Sequence, residues 1–153
     1  MEILDYKPNH FDLVYSVSTF SHFSVEASKF YMKELSRITK KNGILILTIE
    51  GLSALQTVAN EWNINQKDIA AFLNNEGSFH VTYEWIKERA NTGYVPLSDA
   101  VDITTYFDKD YGSTIFSDTY FIKLANNENL EFINRSVGTC CDRQDIYVFK
   151  KIK

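Results

Sequence analysis

No two glycines lie close together in this sequence. Its six glycines, Gly43, Gly51, Gly77, Gly93, Gly112 and Gly138, are dispersed along the chain. That excludes a glycine-rich turn, the device that lets backbone approach a ligand where no Cβ would fit. Proline is scarcer still, with two residues, and the composition is not that of a disordered or repetitive chain. Cysteine is limited to the adjacent pair Cys140–Cys141. Neighbouring cysteines cannot staple distant segments, which excludes a disulfide framework and points to a reducing, cytoplasmic setting. They also lack a second pair at zinc spacing. No apolar run approaches the roughly 20 residues that span a bilayer. Met1–Asn9 has no basic segment followed by an apolar one, so no secretory signal is read there. Positive charge is in deficit as well: 16 Lys+Arg against 20 Asp+Glu give a formal net charge of −4. With scattered lysines, that leaves no electrostatic case for nucleic acid or an anionic membrane.

What is present is an ordinary globular composition with many rings. Hydrophobic residues are 44% and charged residues 24% of 153, with eleven Phe and nine Tyr. This length suits one domain, 1–153, with no linker or internal repeat. Phe11-Asp-Leu-Val-Tyr-Ser-Val17 is short, apolar and rich in β-formers, and reads as a buried strand. A polar and aromatic loop follows from Thr19. Ser24 is a plausible N-cap with Glu26 in the first turn. Ala27, Tyr31, Leu35 and Ile38 recur at helical spacing. Lys40 and Lys41 are expected in the last turn, with Asn42-Gly43 as a left-handed stop. Ile44-Leu-Ile-Leu-Thr-Ile49 is apolar without alternation, as in a parallel strand covered on both faces. Strand, helix and strand make a βαβ crossover. Leu52–Trp62 and Gln66–Leu73 read as helices, Ser117-Asp118 as a helix start, and Leu130–Val137 with Asp145–Phe149 as a closing hairpin. Asn74–Gly112 has no readable periodicity.

Two blocks carry a family likeness: Phe11-Asp-Leu-Val-Tyr-Ser-Val-Ser-Thr-Phe-Ser-His-Phe23 and Lys40-Lys-Asn-Gly-Ile-Leu-Ile-Leu-Thr-Ile-Glu-Gly51. They resemble the fourth strand, its loop and the fifth strand of class I S-adenosylmethionine-dependent methyltransferases, which commonly read FDLVxSxxxxxHL and PGGxLxLTxxG. Tyr111-Gly-Ser-Thr-Ile-Phe-Ser117 and Arg143-Gln-Asp-Ile-Tyr-Val-Phe149 resemble later segments of a bacterial subset, YGxxFHSxxY and HQDxxVL. The resemblance implies a truncated Rossmann-like α/β sheet in the order fourth, fifth, seventh, sixth, with the seventh strand antiparallel and helices on both faces. It also implies S-adenosylmethionine as cofactor. The family's GxGxG turn and the acidic residue after its second strand have no counterpart here, so the chain reads as the C-terminal half alone.

The resemblance distributes roles along the ligand edge of the sheet. Ser16, Ser18 and Thr19 would line the methionine end of the cofactor, against the plain alternative of a polar strand-to-helix loop. His22 would stand near the transferred methyl as a catalytic base, against a loop-anchoring histidine. Glu50, Tyr111, Gln144 and Asp145 would meet the methyl acceptor; for Glu50 a solvated carboxylate is an equal alternative. Arg143 and Phe116 replace histidines of the subset. Asp108-Lys-Asp110 lacks the acidic residue that a calcium loop needs eleven positions on, where Thr119 stands, so no metal is expected. Tyr106, Phe107, Tyr111, Phe116, Tyr120 and Phe121 would wall a small-molecule acceptor pocket or, more simply, fill the core. The strand Phe11–Val17, lacking its family neighbour, is expected to pair with a second copy or a partner chain, or to be covered by a rearranged segment. Three functions follow: a methyltransferase portion not competent alone, a non-catalytic interaction module, or a binder of some small molecule in the aromatic pocket.

Overall fold

A computed structural model describes residues 1–61, 65–81, 112–141 and 143–153. The elements run β1 (Phe11–Ser16), α1 (Val25–Ile38), β2 (Thr39–Ile49), a 3-10 turn (Leu52–Ala54), α2 (Leu55–Glu61), α3 (Gln66–Glu76) and β3 (Ser78–Val81). They continue with β4 (Ser113–Phe116), α4 (Asp118–Asn127), β5 (Leu130–Cys140) and β6 (Gln144–Lys151). The main sheet has four strands in the order β1-β2-β6-β5. β1 and β2 are parallel, and β6 is antiparallel to both β2 and β5. This is the order that the resemblance implies, with the antiparallel strand in its expected place.

The α1 entry follows the sequence. The Ser24 side chain accepts from the Ala27 N–H at 3.1 Å, and Glu26 sits in the first turn. Its exit does not. The helix stops at Ile38, and Thr39 turns extended with its hydroxyl donated to the Leu35 carbonyl at 2.7 Å. A β-branched residue with that bond ends the helix before Lys40 and Lys41, which lie in β2 instead. The left-handed residue is Asn42, at φ 66°, rather than Gly43.

The core forms where α1 and α4 pack on one sheet face. Met32 and Ile38 of α1, and Phe121, Leu124 and Ala125 of α4, meet Val14, Leu45, Leu47, Ile49, Tyr147 and Phe149. Phe116 and Phe121 are fully buried, so core packing accounts for these two aromatics. The opposite face is more open. Register places Leu13, Tyr15, Ile44, Ile46, Val148 and Ile146 together there, with Leu13 53% and Tyr15 72% exposed. Strand β1 is therefore not the buried strand that its composition suggests: Val14 alone of its residues is buried, because among the described residues β1 forms the sheet edge. A second, smaller cluster joins α2, α3, β3 and β4 through Ala54, Val58, Ala59, Ile69, Leu73, Val81 and Ile115.

The two ends of the chain are tied to the end of α1. Arg37 donates to the carbonyls of Tyr6 and Leu4 at 2.7 and 2.9 Å, while Glu34 accepts the Leu4 N–H at 3.1 Å. Lys151 is buried and donates to the Ser36 and Thr39 carbonyls at 2.7 and 2.8 Å and to Asn9 at 3.0 Å. Lys151 is thus an interior tie, and its burial pushes its pKa down.

Candidate active site

The carboxyl ends of β1 and β2 point to the same sheet edge, where open α/β sheets take ligands. After Ser16 the chain leaves β1, and Ser18 adopts φ 56°, in the left-handed region that non-glycine residues seldom occupy. Four hydrogen bonds hold it there. The Ser18 N–H donates to Thr48 Oγ1 at 2.7 Å, and Thr48 Oγ1 donates to Gln144 Oε1 at 2.7 Å. Gln144 Nε2 then donates back to Ser18 Oγ at 2.9 Å and to Ser21 Oγ at 3.2 Å. Ser21, Thr48 and Gln144 are buried, whereas Ser16, Ser18 and Thr19 are half-buried and border the edge. Satisfied polar networks of this kind fix one geometry, because each member would be costly to bury alone.

His22 follows on the same loop. Its Nδ1 donates to the Gly112 carbonyl at 2.8 Å, and the Gly112 N–H donates to the His22 carbonyl at 2.7 Å. A carbonyl only accepts, so Nδ1 carries the proton. The loop is stitched further to β4: the Thr114 N–H donates to Ser21 O at 2.7 Å, and Thr114 Oγ1 donates to Phe23 O at 2.7 Å.

Glu50 and Asp145 form a second cluster at the ends of β2 and β6. Both are 1% exposed. Glu50 pairs with Arg143 at 2.7 Å and accepts from Ser113 Oγ at 3.2 Å. Asp145 accepts from Ser53 Oγ at 2.6 Å and from the Gly138 N–H at 2.7 Å. Gly51 makes this possible, since a Cβ there would lie 2.4 Å from Asp145 Oδ2.

The structure thus brings Ser18, His22 and Gln144 into one loop assembly and Glu50 with Asp145 into another. Tyr111 lies outside the described residues, as do Tyr106, Phe107, Asp108 and Asp110. Four participants had not been singled out: Thr48, Ser21, Ser53 and Thr114. Thr48 alone left a signal, as the one polar residue in the run Ile44–Ile49. Arg143, read as the loss of a histidine, is the partner of Glu50.

Residues 1–47 match the family model described as a methyltransferase domain. No curated protein matches the chain. The fold is shared with solved methyltransferases. An S-adenosylmethionine-dependent methyltransferase of Methanosarcina mazei superposes with TM-score 0.56 at 16% identity, over 97% of this chain and 63% of that one. One from Listeria monocytogenes gives TM-score 0.53 at 11% identity, over 98% and 65%. A Haloferax volcanii methyltransferase, solved in complex with a methyltransferase activator, gives TM-score 0.53 at 11% identity, over 98% and 57%. The chain therefore has the fold of the later part of an S-adenosylmethionine-dependent methyltransferase, and it spans less than two thirds of these relatives. No described helix is long and apolar enough to cross a membrane.

Proposed function

We propose that this chain is the C-terminal portion of an S-adenosylmethionine-dependent methyltransferase domain and supplies one wall of its cofactor site. The observation that carries the reading is the clasp on Ser18. A left-handed serine, held by Thr48 and Gln144, stands at the ligand edge within the stretch that the family model matches. Among the described residues, those at the ligand edge fit the methionine end of the cofactor. Ser16, Ser18 and Thr19 offer polar groups there, but six dispersed glycines provide no turn for close backbone approach. Ribose and adenine are then held by residues outside this wall, on the same or another polypeptide.

Bound there, S-adenosylmethionine supplies an electrophilic methyl on a sulfonium sulfur. His22, with its proton fixed on Nδ1, accepts the proton of an oxygen or nitrogen acceptor at Nε2. The loop clasp orients it, and orientation is the larger part of catalysis by positioning. Glu50 and Asp145 are buried and engaged, so they shape the acceptor side through Arg143 and Ser53 rather than by contact. Tyr111 remains an acceptor-side candidate on the resemblance alone. The test is titration of the chain with S-adenosylmethionine while its amide resonances are followed. Shifts confined to residues 16–22 support the reading; none there refutes it.

A second reading, a non-catalytic interaction module in a reducing cytoplasm, is favoured by the apolar edge. Leu13 and Tyr15 of β1 and Val17 just after it are 53%, 72% and 47% exposed, and among the described residues β1 pairs on one side alone. Such edges recruit strands. Sedimentation should show a dimer that L13K/Y15K converts to monomer; a wild-type monomer at every concentration contradicts edge pairing between copies.

A further inference from the structure

We propose that Cys140 and Cys141 are a peroxide-sensitive dithiol that closes to an intramolecular disulfide beside the ligand edge. The two Sγ atoms lie 3.4 Å apart, with a hydrogen bond between the thiols. Both cysteines are free, Cys141 is exposed, and Cys140 is half-buried at the end of β5. The turn is already contorted, with Gly138 at φ 61° and Cys141 at φ 51°. Burial and the neighbouring sulfur push the Cys140 thiol up, the hydrogen bond to Cys141 being the largest cause. The Cys140 thiolate is therefore disfavoured, and exposed Cys141 is the sulfur that meets an oxidant first.

The reaction balances with a hydroperoxide as co-reactant. The Cys141 thiolate attacks the peroxide oxygen, the O–O bond breaks, and the leaving alkoxide takes a proton, giving Cys141 sulfenic acid and an alcohol. The Cys140 sulfur then attacks Cys141 Sγ, the S–O bond breaks, and water leaves. Two thiols lose two electrons and two protons; the peroxide gains them. Adjacent Cα atoms are only about 3.8 Å apart, short of the roughly 4.4–6.8 Å window of ordinary disulfides. The closed ring is strained and easily reduced, which suits reversible sensing and not stapling. Its effect has a short route to the site. Cys140 pairs with Gln144 across the hairpin and accepts the Arg143 N–H at 3.3 Å. Gln144 clasps Ser18, and Arg143 pairs with Glu50.

The test treats the reduced chain with one equivalent of hydrogen peroxide and reads intact mass and iodoacetamide labelling. The expected result is loss of two hydrogens and of both labelling sites, reversed by dithiothreitol. C140S should instead give a dimedone-trapped sulfenic acid at Cys141. The proposal is overturned if the wild-type chain yields only intermolecular dimers or oxygen adducts. It is equally overturned if C140S traps nothing at Cys141.

Discussion

Replacing Gln144 by leucine removes the amide at the centre of the loop clasp while nearly keeping its volume. Three hydrogen bonds go with it, to Thr48, Ser18 and Ser21. Ser18 is half-exposed and finds water at little cost. Ser21 and Thr48 are 0% and 2% exposed, and their hydroxyls lose a partner that water cannot replace. Thr48 Oγ1 keeps the Ser18 N–H, so its loss is partial. A buried polar group left without its bond costs about 1–3 kcal/mol, which puts Q144L at about 2–4 kcal/mol in total. That is a large share of the roughly 5–15 kcal/mol that holds a domain folded. At roughly 2–4 °C per kcal/mol for this size, Tm should fall by about 4–16 °C. Urea unfolding of wild type, Q144L, T48V and the double variant measures both the loss and the coupling. The coupling between two residues in one network should be about 0.5–3 kcal/mol. A Q144L loss under about 0.5 kcal/mol, or additive single variants, would refute the clasp as the element that holds the loop.

Two further perturbations bear on the frame. The Arg37 hydrogen bond and the Leu4 N–H hold the Glu34 carboxyl below the usual carboxylate range, against its own desolvation. A carboxylate depressed on folding stabilises above its unfolded pKa, and that stability disappears as pH falls through the folded value. Acid titration of stability should therefore be steeper for wild type than for E34Q below the ordinary carboxylate pKa; identical curves would contradict the tie. R143M withdraws the guanidinium from buried Glu50, and breaking such a pair costs about 3–5 kcal/mol. Adding E50Q should recover part of that loss in thermal unfolding; no recovery would assign the cost to something other than the pair.

The parts of the fold that sequence revealed are those fixed by local chemistry. The Ser24 cap, the apolar run Ile44–Ile49 and the Ser117 helix start each declare themselves within a few residues, and the sheet order came through the family resemblance. Strands β3 and β4 did not show. Ser78–Val81 and Ser113–Phe116 are four residues each, and they pair across a gap that no local pattern bridges. The end of α1 misled because two lysines and Asn42-Gly43 look like a helix stop, whereas the Thr39 hydroxyl had already closed the last turn. At the site, Ser18 and His22 were visible, but the clasp was not. Thr48 and Gln144 are 96 residues apart, and a single sequence gives no pairing between them. Glu50 read equally well as a solvated carboxylate because its partner Arg143 is supplied by folding, as are the Ser53 and Gly138 partners of Asp145.

The most direct measurement is a calorimetric and NMR titration of the whole chain with S-adenosylmethionine. One wall of a cofactor site should give no saturation below about 1 mM, with amide shifts confined to residues 16–22. Submillimolar, saturable binding by this chain alone would contradict the account. So would the absence of any shift at Ser18 and its neighbours.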